Sequence, residues 1–141
     1  MARSRLVSET DHDERRRMDA DFPFVEFRIP ADPAYVRIAR LAAGDMGGRA
    51  GFSVDELDDV RLAVDEVCAT LIAAGGPVLE LRMQAHDRAL IIEGTLAGAR
   101  VATVPTELSA MLLRALVDSC EFTSRDGGVS FEMSKLARDI V

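Results

Sequence analysis

Apolar positions in this chain recur with two periods, and the switches between them divide it into helices and strands. Leu57, Val60, Val64, Val67 and Leu71 fall three and four apart, the spacing of a helix face laid on a core. That helix starts where Ser53 and Glu56 form a Ser-x-x-Glu capping box, with Asp55 and Glu56 in the first turn where the helix dipole favours negative charge. It ends at Gly75-Gly76-Pro77. A second helical spacing runs through Leu108, Met111, Leu112, Ala115 and Leu116, read as a core-facing stripe. A third helix starts at Pro33, carries Val36, Ile38, Ala39, Leu41 and Ala42, and is expected to end near the glycines at 44, 47 and 48.

The other rhythm is alternation. Val25, Phe27 and Ile29 alternate with Glu26 and Arg28, and Leu79, Leu81 and Met83 with Glu80, Arg82 and Gln84; a turn around His86-Asp87 then leads to Leu90-Ile91-Ile92. Cys120, Phe122 and Ser124 alternate with Glu121 and Thr123, Asp126-Gly127-Gly128 turns the chain, and Val129, Phe131 and Met133 return it. Strands in local hairpins beside helices predict an α+β fold: a two-layer sandwich of a mixed, mainly antiparallel sheet covered by about three helices.

At 141 residues, 48% of them hydrophobic, the chain suffices for one core. Residues 21–141 read as a single domain, and residues 1–20, polar and without periodicity, as a disordered charged tail whose Arg15-Arg16-Arg17 run is solvated. The net charge of −7 argues against a nucleic-acid surface, which needs a basic face, and suits a positively charged partner. No long apolar run and no signal-peptide core occur, so a cytoplasmic protein without membrane contact is expected. Cys68 and Cys120 read as small buried hydrophobes. His12 and His86 lack neighbours at ligand spacing, so no metal site is expected. Lys135 is the sole lysine, which leaves none for a P-loop.

The residues that carry chemistry lie on the central helix. Glu66 and Thr70 are four apart, one turn above each other at the edge of the apolar stripe. A glutamate there is ordinarily a solvated flank. Its surroundings are more specific: Ile29-Pro30-Ala31-Asp32-Pro33-Ala34-Tyr35-Val36-Arg37-Ile38-Ala39-Arg40-Leu41, then Phe52-Ser53-Val54-Asp55-Glu56-Leu57, then Arg61 to Ile72. That order resembles the RsbW-like bacterial anti-sigma factors, GHKL-superfamily (histidine-kinase-like) ATPases that also act as serine kinases. The resemblance runs from about Phe24 to Met133 and is strongest over 29–72.

The resemblance implies that Glu66 stands at the family's catalytic base, and that Thr70 replaces the asparagine that holds the magnesium of ATP. The family's Asp-x-Gly-x-Gly, whose aspartate reads the adenine amino group, is matched by Leu96-Ala97-Gly98. Its glycine-rich lid is matched by Thr106-Glu107-Leu108-Ser109-Ala110-Met111, and no glycine lies between 99 and 126. Departures at three motifs imply a degenerate nucleotide site at Thr70 and Gly98, no cofactor unless magnesium ATP still binds, and no efficient enzyme. The partner-binding residues implied are Arg37, at the family's partner-contacting arginine, and Arg40. Guanidinium groups suit such a role because they grip a carboxylate with two hydrogen bonds. The expected function is an anti-sigma factor in stress-response partner switching: a homodimer that sequesters an alternative sigma factor and is released by a STAS-domain anti-anti-sigma antagonist. The alternatives are an active kinase of that antagonist with Glu66 as base, and a regulatory module for a non-sigma partner.

Overall fold

The structure is a computed structural model that describes residues 2–5, by their backbone, and 17–138. The elements in chain order are β1 (Ala2–Arg5), β2 (Val25–Pro30), α1 (Val36–Arg49), α2 (Val54–Ile72), β3 (Val78–His86), β4 (Ala89–Ala97), α3 (Glu107–Leu116), β5 (Ser119–Arg125) and β6 (Gly128–Leu136). The strands form one six-stranded sheet in the order β1-β5-β6-β4-β3-β2. Every pair in it is antiparallel, so the expected mixed component is absent among the described residues. This follows from the connections: β3–β4 and β5–β6 are tight hairpins, and both turns place two residues at positive φ, Asp87 with Arg88 and Asp126 with Gly127.

α2 is written locally and forms as its sequence predicts. Ser53 accepts from the Glu56 amide at 3.2 Å while the Glu56 carboxylate accepts from the Ser53 amide at 2.9 Å. Its inner face, including Val60, Val64, Val67 and Leu71, is buried against Leu81 and Met83 of β3 and Ile92 and Leu96 of β4 within one core. Cys68 and Cys120 are buried free thiols in that core.

Two further expectations are corrected. α1 does not end near its glycines but runs through them to Arg49. Two of those glycines serve packing: a Cβ on Gly47 would stand 2.8 Å from Leu57 Cδ2 and 3.0 Å from Phe52 Cδ2, and one on Gly44 would stand 3.1 Å from the Arg61 guanidinium. The α3 stripe is also displaced. Leu113 and Leu116 face the core, whereas Leu108 and Met111 are 67% and 63% exposed, because α3 rests on α2 and β5 by its C-terminal turns.

Two stretches of the N-terminal segment are bound to the sheet. Ala2–Arg5 pair with Glu121–Ser124 as an edge strand. Residues 19–22 are hydrogen-bonded to the wholly buried Gln84, whose Oε1 accepts from the Asp19 amide and whose Nε2 donates to the Asp19 and Phe22 carbonyls. Phe22 stacks on His86 with ring centroids 3.8 Å apart. Arg15 and Arg16, like His12, lie outside the described residues, whereas Arg17 stands 3.6 Å from Glu132.

Candidate functional site

Glu66 stands half-buried on the α2 edge that faces α3. α3 begins at Thr106, whose hydroxyl accepts from the Ser109 amide at 3.1 Å and so fixes the first turn. The Ser109 hydroxyl donates to Glu66 Oε2 at 2.6 Å, a short charge-assisted bond. One turn along α2, the buried Thr70 hydroxyl donates to the Glu66 carbonyl at 2.9 Å, back-bonding along its own helix. The structure therefore keeps Glu66 and Thr70 together and adds Ser109 to them.

Gly98 belongs to a different stretch. It adopts φ +72°, a left-handed turn conformation that suits glycine, immediately after β4. The next residues are tied down: Ala99 donates to the Gly127 carbonyl at 2.7 Å, and Arg100 to those of Ala74 and Gly75 at 2.8 and 2.9 Å. Leu96, which the resemblance sets against the adenine-reading aspartate, is wholly buried. An apolar side chain there accepts no hydrogen bond from an adenine amino group. At that position the residues present do not fit the adenine contact of a nucleotide. Among the described residues no group of three or more His, Cys, Asp or Glu side chains could hold a metal ion.

Arg37 and Arg40 lie together on the opposite flank of α2, in a groove of about 450 Å³ between α1 and α2 that Leu41, Asp58, Arg61, Leu62 and Asp65 also line. Arg40 Nη1 stands 3.3 Å from Asp65 Oδ2, and Arg61 Nη1 stands 3.2 Å from Asp58 Oδ1. Arg37 is exposed, and Ile38 and Leu41 beside it are 48% and 62% exposed. Sequence reasoning missed Ser109, Arg61 and Asp65. Arg61 and Asp65 carried a local signal, being four apart on α2 and so on one face with Asp58. Ser109 carried none.

An all-antiparallel sheet with helices packed on one face, and an acid on the long central helix beside the final helix, is the α+β sandwich of the GHKL ATPases. The histidine kinase-like ATPase domain model matches residues 29–135, and the chain belongs to that family. Within it the chain is RsbW-like. It is 34% identical over 55 residues to the serine-protein kinase RsbW of Bacillus velezensis, covering 39% of this chain and 34% of that one. It is 37% identical over 49 residues to that of Bacillus subtilis, covering 35% and 31%. The matched segment thus spans about a third of these relatives' length. Among solved structures, the RsbU and RsbW domains of Rv1364c from Mycobacterium tuberculosis superpose with a TM-score of 0.60 at 16% identity, over 84% of this chain and 35% of that one, a likeness of fold.

No helix among the described residues is long and apolar enough to cross a membrane.

Proposed function

We propose that this chain is a cytoplasmic, homodimeric anti-sigma factor of a stress-response partner switch, working without nucleotide chemistry. It sequesters an alternative sigma factor through the α1–α2 groove, occluding surfaces that RNA polymerase needs, and is released by a STAS-domain antagonist competing for the same residues. The observation that carries the nucleotide-free part is the wholly buried, apolar Leu96 at the position where the resemblance sets the adenine-reading aspartate. The groove supports the partner part: Arg37 is exposed and suited to grip a carboxylate, and Leu41 and Leu62 supply apolar area in the same groove.

Affinity capture of the tagged chain with mass spectrometry tests this reading. A sigma factor recovered in near-equal amount supports it; recovery of unrelated proteins alone retires sigma sequestration. Substituting Arg37→Glu reverses a charge on an exposed side chain, so it should weaken capture about tenfold or more with the melting temperature unchanged. Unaltered affinity removes Arg37 from the surface.

A second reading, the active kinase, is favoured by the family match: the ATPase domain model covers residues 29–135, and the resemblance sets Glu66 at the base position within it. Micromolar binding of magnesium ATP, measured by calorimetry, would establish its first requirement.

A further inference from the structure

We propose that Ser109 is a built-in pseudosubstrate: its hydroxyl occupies the Glu66 carboxylate where a base of this kind would receive a substrate hydroxyl, and it latches α3 onto α2. The inference rests on the reading that Glu66 stands at the family's base position.

Geometry and chemistry agree on the latch. A general base must lie within hydrogen-bond reach of the proton it takes, and the Ser109 Oγ to Glu66 Oε2 distance of 2.6 Å is the short end of that range. Ser109 is not a loosely placed surface hydroxyl. Its amide is held by the Thr106 cap, and its helix is anchored by Leu113 and Leu116, both buried. The carboxylate in turn lies against the first turn of α3, whose unsatisfied amides and dipole favour negative charge. An incoming serine hydroxyl has to displace Ser109 and lift that turn before it reaches Glu66. The latch is a property of the chain itself, needing neither nucleotide nor partner.

The test is labelling of Glu66 on the full chain with a water-soluble carbodiimide and glycine ethyl ester, followed by peptide mass spectrometry. In the unaltered protein Glu66 should react slowly. In Ser109→Ala its rate should rise about tenfold, the factor expected when a hydrogen bond to a charged group is lost. Labelling of Asp55, exposed in the first turn of α2, should not change. Ser109→Thr, which restores a hydroxyl, should return protection, and Ser109→Cys, a weaker donor of similar shape, should lie between. Equal Glu66 rates in the unaltered chain and Ser109→Ala overturn the latch. So does failure of Ser109→Thr to protect while helix content by circular dichroism is unchanged. Calorimetric binding of magnesium ATP by the unaltered chain would overturn the nucleotide-free reading alone, because the labelling contains no nucleotide.

Discussion

Leu96→Asp puts a carboxylate on β4 where the family resemblance sets the adenine-reading aspartate, and the structure predicts that it damages the fold without restoring ATP binding. Leu96 is wholly buried: it pairs with Leu79 on β3 and Val129 on β6, and Gly76 packs so closely that a Cβ there would stand 3.1 Å from Leu96 Cγ. Deleting a leucine side chain at such a site costs about 2–5 kcal/mol, transfer and cavity together. A carboxylate in the same space has no partner and either pays desolvation or takes up a proton, at about 1.4 kcal/mol per unit by which its pKa rises. A total near 4–6 kcal/mol approaches the roughly 5–15 kcal/mol that holds a domain of this kind together. Urea denaturation should show that loss as a lowered midpoint, and thermal melting a fall of about 15 °C or more. Calorimetry with magnesium ATP should show no binding, because Thr70 and the tied-down loop after Gly98 are unchanged. A Leu96→Asp protein that melts with the unaltered chain and binds ATP at micromolar concentration would refute the reasoning, since the site would then be an open cleft and not core.

Other outcomes follow from single contacts. Gly94 on β4 lies under the Phe131 ring of β6, and a Cβ would stand 2.8 Å from Cζ, so Gly94→Ala should cost about 1–3 kcal/mol by urea titration; an unchanged midpoint removes the clash. Burial raises the Glu56 carboxyl's pKa, but hydrogen bonds from the Ser53 and Arg138 amides and the Ser53 side chain, with the nearby Lys135 charge, outweigh it and hold the pKa below its ordinary 4.5. A depressed carboxyl contributes in full above that value and loses its contribution as pH falls through the folded-state value. The stability gap between the unaltered chain and Glu56→Gln should therefore hold above pH 4.5 and close below it; a gap independent of pH refutes the assignment. Burial pushes the Cys68 and Cys120 thiols up to about 12, with Asp65 adding to the shift at Cys68, so neither should react with iodoacetamide at pH 8 until urea unfolds the chain.

How much of this was legible beforehand depends on the range of the interaction. The α2 capping box, the apolar periodicity of that helix and the two hairpin turns are decided by neighbours a few residues apart, so sequence alone determined that this is an α+β chain with a long central helix. Similarity of order and spacing also placed Glu66, Thr70 and Leu96 against the family's motifs. Tertiary structure decided the rest. Three glycines in α1 look like a stop until α2 is known to need a close approach at two of them, Gly44 and Gly47. Leu108 and Met111 fit a core stripe as well as Leu113 and Leu116 do, and the placement of α3 on α2 and β5 chose between them. Ser109 reaches Glu66 across 43 residues of sequence, and no periodicity encodes a contact of that range. The separation of the Glu66 site from the arginine groove on the other flank of α2 is likewise set by two packing partners, α3 and α1, that the helix's own pattern does not name.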